Sequence, residues 1–449
     1  MDYFRKLLDL LKIEREEDQR TYQELTLKLS LADRRTNGLS WFPVAIRGTE
    51  MSRGDYITVE LERTTHQYVV HQFRFGAAAR LFSNHNAGTD FVDGVIAYQG
   101  SDRMKITLRT DELPDWTRDG KLGIDLLFDD NSYDEMQAAL RQATAIAEKP
   151  EGHLLRILTG QAAPTFNSSV PDLQLGNLNE SQQNAVHKIT AANELAIVHG
   201  PPGTGKTTTL IQAIKQLYQL DKKQILVVAP SNAAVDLLTE KLYDEGMNVL
   251  RVGNPARVSE RLMSLTLDSK MAEHSRMKEI KKMKKQAAEF RDMAHKYKRQ
   301  FGKAERDQRK ALFEEAKNIM KHVVTTEQYI IDDLISKAQV ITATLVGSNH
   351  FTVRNLTYHT VVIDEAAQAL EPACWIPILK AKKLILAGDH WQLSPTVKSA
   401  EAARQGLTTT LLQKCVELHP EAVVLLEEQY RMHSMIMGYS SQVFYAGKL

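Results

Sequence analysis

Hydrophobic positions change period along the chain, and each change marks a different kind of structure. Over 2–35, Phe4, Leu7, Leu8, Leu11, Tyr22 and Leu29 recur at helical steps among Glu, Arg and Lys, which predicts a helix with one apolar face. Its polar face mixes both signs of charge, so it is expected to pack on its own protein and not on a membrane surface. Between Trp41 and Phe128 the pattern shortens to β-rich runs at 41–46, 56–62, 68–75, 91–98, 104–108 and 122–128. Turn signals such as Arg53-Gly54-Asp55 and Arg118-Asp119-Gly120 separate them, predicting a small antiparallel barrel over 41–130. That pattern suits a structural or partner-binding barrel as well as a nucleic-acid-binding one. Helical spacing returns over 131–160 through Met136, Leu140, Ala143, Ala147, Leu154 and Leu158, broken at Pro150 and Gly152. Segments 1–40 and 131–160 thus read as stalk helices bracketing the barrel, followed by a Pro- and Gly-containing linker over 161–177, with Pro164 and Pro171.

From residue 178 continuous apolar runs alternate with amphipathic segments. The runs lie at 195–198, 225–229, 249–252, 340–343, 360–363, 384–387 and 423–426, as in a parallel sheet covered on both faces. The alternation stops over 257–337. Ile280, Met283, Ala287, Phe290, Ala294, Tyr297 and Phe301, then Leu312, Phe313, Ala316, Ile319, Met320 and Val323, keep a three-four spacing around a break near Gly302. This predicts an antiparallel helical hairpin inserted into the sheet domain, with the aromatic stripe as its core. The fold class expected is α/β, with a phosphate-loop core split into 178–256 and 338–428, the insertion at 257–337, and an N-terminal barrel.

Composition changes this picture little. A chain of 449 residues, 43% hydrophobic and 25% charged, is ordinary for a multidomain globular protein. No apolar run reaches the ~18–20 residues that span a bilayer, and the N-terminus leads into a charged helix instead of a signal peptide. Two cysteines, Cys374 and Cys415, are too few for a disulfide framework or a cysteine zinc site. A monomer without structural metal, in the cytoplasm or nucleus, is expected. Net charge is +1, yet 270–310 carries fifteen Lys/Arg against six Asp/Glu. The basic faces of the hairpin fit both a solvated helix and a phosphate-tracking surface.

The chemistry centres on Gly200-Pro201-Pro202-Gly203-Thr204-Gly205-Lys206-Thr207-Thr208, between an apolar strand and a helix. This is the G-x-x-x-x-G-K-S/T spacing of a phosphate loop. Glycines let backbone N–H groups curl round phosphate, and the helix N-terminus adds positive charge. Lys206 can reach the β- and γ-phosphates, and the Thr207 hydroxyl can serve Mg²⁺. Asp364 and Glu365 end the apolar run at 360–363, where Asp364 can hold Mg²⁺ and Glu365 can polarise water attacking the γ-phosphate. Without the phosphate loop upstream, such a pair would read as helix caps. Gln392, after Gly388-Asp389, can place an amide near the γ-phosphate, whereas His390 and Trp391 read as structural. Arg431 can neutralise transition-state charge, and Tyr430 can stack on a base.

These phrases, with 178–186 (Leu-Asn-Glu-Ser-Gln-Gln-Asn-Ala-Val), 229–236 (Ala-Pro-Ser-Asn-Ala-Ala-Val-Asp), Asp364-Glu365-Ala366-Ala367-Gln368, Gln392-Leu393-Ser394-Pro395 and Gln429-Tyr430-Arg431-Met432-His433, stand in the order of superfamily-1 helicases. The resemblance covers about 178–449 and is nearest to the branch of the nonsense-mediated-decay and immunoglobulin mu-binding helicases. It implies a RecA-like core that uses ATP and Mg²⁺ to move 5′→3′ on single-stranded DNA or RNA. It also implies that Gln182 reads the adenine edge, Tyr430 stacks on the base, and Lys206 and Thr207 hold phosphate and Mg²⁺. Asp364 would bind the metal, Glu365 act as base, and Gln392 and Arg431 contact the γ-phosphate. Ser231, Asn232 and Pro395 would lie along the nucleic acid. The family's motor has two such cores, and here 429–449 would be the start of a truncated second one. As it stands the chain is alternatively a nucleotide- and nucleic-acid-binding module without efficient turnover.

Overall fold

A computed structural model describes residues 2–26, 29–51, 56–73, 77–108, 110, 112–128, 130–168, 173, 175–253, 260–295 and 302–449. The turn at Arg53-Gly54-Asp55, Pro171, residues 257–259, Tyr297 and Phe301 lie outside them.

The N-terminal helix is α1 (Asp2–Thr26). It is shorter than the 2–35 periodicity suggests, because Ser30 caps a separate short helix, Leu31–Thr36, accepting from the Asp33 N–H at 3.2 Å. Among the described residues six strands then close a barrel: β1 (Ser40–Met51), β2 (Ile57–Arg63), β3 (Ala78–Ser83), β4 (Phe91–Gln99), β5 (Arg103–Leu108) and β6 (Leu122–Leu126), in the order β1-β2-β5-β4-β3-β6. Alternate residues such as Val59, Leu61, Leu81, Ile96, Met104, Ile106 and Ile124 fill it.

One expected strand is wrong. The apolar run at 68–75 forms no strand over its described residues, 68–73, and its place in the barrel is taken by β3. The cause is Arg63, 4% exposed, whose guanidinium donates to the carbonyls of Val69 (2.9 Å), Gln67 (2.6 Å) and Ser101 (3.0 Å). Carbonyls bound to a buried guanidinium are withdrawn from any ladder, and Tyr68 and Val70 are left exposed.

Helix α2 (Asp130–Ile146) packs with α1 against one face of the second sheet. That sheet is assembled from α3 (Glu180–Ala191), β7 (Leu195–His199), α4 (Lys206–Asp221), β8 (Ile225–Ala229), α5 (Asn232–Asp244), β9 (Val249–Arg251), β10 (Val340–Thr344), β11 (Tyr358–Ile363), α8 (Glu371–Ile378), β12 (Ala381–Gly388), α9 (Leu411–Leu418), β13 (Val423–Leu425) and α10 (Ser434–Phe444). Helices α6 (Met277–His295) and α7 (Lys303–Lys337) are inserted between β9 and β10. The seven strands are parallel, in the order β13-β7-β12-β11-β8-β10-β9. Both faces are covered, as continuous apolar strands require. Leu195 and Ile197 of β7 face a core shared with Phe4, Leu7, Leu11 and Leu140, while Ala196 and Val198 face Leu210, Ile214 and Leu238 of α4 and α5. The stalk helices are thus one wall of the sheet domain's own core.

The inserted helices run antiparallel. His274, Arg276 and Lys284 lie opposite Asp333, Tyr329 and Glu327 in turn, with Ile280, Ala287, Ala316, Met320 and Val323 buried between. Met283, Phe290 and Ile319 pack partly buried against this core, whereas Leu312 and Phe313 lie outside it.

Candidate nucleotide cleft

Register puts the chemistry at one edge of the sheet. β11, β12 and β7 are parallel, so their C-terminal ends, Ile363, Gly388 and His199, emerge together. In open α/β sheets ligands bind outside that edge. After His199 the chain turns through Gly200–Gly205. Gly203 (φ +79°) and Gly205 (φ +76°) adopt the left-handed region that glycine allows. A Cβ on Gly203 would lie 2.6 Å from the Arg431 Cβ, and one on Gly205 would lie 2.5 Å from Gln182 Nε2, so these glycines also let the walls approach. Gly205 caps α4, whose first N–H groups have no partner within the helix.

The Lys206 ammonium, its side chain 11% exposed, lies 2.8 Å from Glu365 Oε1 and 3.9 Å from Asp364 Oδ1. Asp364 is buried at the end of β11, where its Oδ1 accepts the Glu365 N–H at 2.8 Å. Burial pushes its carboxyl up to about 6; the Lys206 charge opposes that rise and the Glu365 charge adds to it. Glu365 sits at φ +52°, a region costing a non-glycine residue on the order of 1–2 kcal/mol, and the turn aims its carboxylate at Lys206.

A cleft of about 530 Å³ opens over the loop, within the size range of ligand sites. Gly200 through Thr208, Glu365, Gln392, Tyr430 and Arg431 line it. The Tyr430 N–H donates to the Gly203 carbonyl at 2.9 Å, fixing the Gln429–His433 segment to the loop. The Tyr430 hydroxyl accepts from Asn179 Nδ2 at 2.8 Å and donates to Glu428 at 3.0 Å, leaving its ring exposed. Gln392 lines the cleft while its Nε2 donates to Asp389 Oδ2 at 2.9 Å.

Other expected residues lie elsewhere. Gln182 is buried behind the loop: its Oε1 accepts the Asn179 N–H at 3.1 Å, closing a capping box, and its Nε2 donates to the Thr204 carbonyl at 3.0 Å. Both ends of its amide hold the loop's shape. Ser231 caps α5 through the Ala234 N–H at 3.2 Å. Asn232 accepts from the buried Arg251 at 2.9 Å, and Pro395 is buried beside the exposed Leu393. Leu237 and Lys241 of α5 also line the cleft and were not foreseen. Their one-turn spacing puts them on one face, but nothing local shows that this face turns toward the loop.

The residues present suit magnesium. Thr207 offers a hydroxyl at the cleft, and Asp364 a carboxylate buried beside Lys206, both hard oxygen donors. Among the described residues no helix is long and apolar enough to cross a membrane.

Comparison with known proteins agrees with this arrangement. A family profile described as "AAA domain" matches residues 177–400, and a second of the same description matches 407–449. The DNA-binding protein SMUBP-2 of Rattus norvegicus is 32% identical over 98% of this chain and 45% of its own length. The DNA polymerase alpha-associated DNA helicase A of Saccharomyces cerevisiae is 33% identical over 71% of this chain and 48% of its own length. The ATP-dependent helicase NAM7 of the same yeast is 33% identical over 71% of this chain and 31% of its own length. The chain therefore spans less than half the length of each of these relatives. By ordered motifs, fold and these matches, it belongs at family level to the superfamily-1 DNA and RNA helicases that include SMUBP-2, helicase A and NAM7.

Proposed function

We propose that the chain carries the first motor core of an ATP-dependent helicase, in which ATP hydrolysis drives 5′→3′ movement on single-stranded DNA or RNA. The observation that carries this is the convergence of Lys206, Glu365, Gln392, Tyr430 and Arg431 on one cleft over the glycine loop. Loop N–H groups and Lys206 hold the phosphates, and Tyr430 offers its ring to the base. Thr207 and Asp364 would hold Mg²⁺, which when bound neutralises phosphate charge. Glu365 is the base for the attacking water, and Gln392 and Arg431 meet the γ-phosphate. Lys206 is paired with Glu365, and Gln392 with Asp389. A triphosphate competes for Lys206 and frees the carboxylate.

Those two pairings also favour a second reading, a module that binds nucleotide and nucleic acid without efficient turnover. ATP hydrolysis measured with and without single strands separates the two. Strand-stimulated turnover that requires Lys206 supports the motor; nucleotide binding with no turnover supports the module.

Asp364 gives a pH test. Its carboxyl, at about 6, lies above the ordinary value, so its proton is held more tightly in the folded chain. That contribution to folding is complete below the ordinary carboxylate range and is lost as pH rises through about 6. Mg²⁺ needs the charged form. Magnesium-dependent nucleotide affinity is therefore expected to fall up to about tenfold per pH unit below about 6, and Asp364→Asn should flatten the profile. Titration of a fluorescent ATP analogue across pH checks this, and an unchanged slope in the variant contradicts it.

A further inference from the structure

The parallel register of β7 and β12 sets Gly388 against His199, so the next residue, Asp389, emerges beside the His199 imidazole. His199 Nε2 is 3.0 Å from Asp389 Oδ1, and the His390 ring stacks at a tilt on the His199 ring, their centroids 4.6 Å apart. The ligand atoms of His199, Asp389 and His390 all lie within 4.8 Å of one another. His199 is 8% and Asp389 1% exposed. The buried Nδ1 of His390 has no hydrogen-bond partner among the described residues. An imidazole nitrogen sealed from water without a partner is costly, and here it belongs to a group that already holds a second imidazole and a carboxylate.

We propose that His199, Asp389 and His390 form a site for a divalent transition ion of the zinc class. Two nitrogens and one oxygen are a borderline donor set, suited to Zn²⁺ or Co²⁺, whereas Mg²⁺ takes hard oxygen ligands. Tetrahedral zinc with bonds of 2.0–2.1 Å needs ligand atoms about 3.3 Å apart. The His199–Asp389 edge is already near that, and the other edges must close by about 1.5 Å at most, a rotation of the half-buried His390 on the turn after β12. The ion takes the place of the proton between His199 Nε2 and Asp389 Oδ1. The other carboxylate oxygen, Oδ2, keeps its hydrogen bonds from Tyr445 (2.7 Å) and Gln392 (2.9 Å), the outer partners that orient a ligating carboxylate. Three protein ligands leave a fourth position for water. The scarcity of cysteine argues against a thiolate zinc site and does not bear on this donor set.

Cobalt titration of the purified chain in excess magnesium tests the site. Tetrahedral cobalt absorption is expected to saturate at one equivalent and to be displaced by zinc. His390→Ala and His390→Gln, both confirmed folded by circular dichroism, are each expected to weaken binding about a hundredfold, and Tyr445→Phe about tenfold. Asp364→Asn, which alters only the magnesium ligand of the nucleotide cleft, should leave binding unchanged. Equal cobalt affinity in the wild type and both His390 variants would overturn the proposal. So would loss of the signal in Asp364→Asn, which would place the ion in the nucleotide cleft instead.

Discussion

Lys206→Ala is expected to lower affinity for ATP by about thirty- to several-thousand-fold, equivalent to about 2–5 kcal/mol, while leaving the fold nearly as stable as before. The Lys206 ammonium faces two carboxylates, and it is the cation that offsets them when a triphosphate enters the cleft. Without the lysine, Glu365 and Asp364 confront the phosphates unneutralised. The folded chain has two ways to relieve the same loss. Glu365 retains 30% of its side-chain exposure and can rehydrate, and the carboxyl of Asp364, at about 6, can take up a proton. The cost therefore falls on binding and not on folding. Glu365→Gln is expected to do the reverse of Lys206→Ala within the same ion pair. It should keep nucleotide affinity within a few-fold and lower turnover by about 10²–10⁴, the range of a lost general base. Calorimetric titration of ATP, with thermal unfolding in parallel, measures the first claim. An affinity loss below tenfold, or a matching collapse of stability, would count against the assignment of Lys206.

The features legible in the sequence are those that local pattern fixes. Continuous apolar runs placed the seven described parallel strands, and the glycine spacing with Glu365 after a strand marked residues that line the cleft. Local pattern falls short where distant groups decide. The run at 68–75 has strand composition, yet Arg63 at the end of β2 binds the Val69 carbonyl and that of the preceding Gln67, contacts no window of that segment contains. Gln182 stands in the expected phrase, but its orientation follows from a capping box and the Thr204 carbonyl, so its amide supports the loop from behind. Leu237 and Lys241 reach the cleft because of how α5 packs on the sheet, which periodicity predicts as a face but not as a direction. The same holds for Asp389. Its motif was visible, whereas the convergence of His199, Gln392 and Tyr445 on one carboxylate depends on strand register and on the docking of α10.

Glu371→Ala is expected to destabilise the chain by about 3–5 kcal/mol, because it removes the acceptor on which the first helix and the sheet domain are joined. Glu371 is 1% exposed at the start of α8. Its carboxylate accepts from the Tyr3 hydroxyl of α1, from Lys414 Nζ of α9 at 2.6 Å and from the Trp375 indole at 3.3 Å. Phe4 meets the Trp375 ring edge-on, with centroids 4.9 Å apart, so the Glu371 carboxylate sits in an apolar seam, with the Lys414 side chain 26% exposed at its edge. Removing the carboxylate takes this acceptor from the Trp375 indole, the Tyr3 hydroxyl and the Lys414 ammonium at once. Glu371→Gln keeps an acceptor and should cost less than half as much. The loss has a functional side. Glu14 of α1, 2% exposed, accepts the Lys398 and Ser399 N–H groups at 2.8 Å each, so α1 also steadies the segment that follows Gln392. Loosening α1 should therefore raise hydrogen exchange in that segment together with α1 itself, before global unfolding. Denaturant melts with exchange measured over 2–26 and 392–402 check both parts, and a destabilisation below about 1 kcal/mol with unchanged exchange would show that the cluster contributes no net stability.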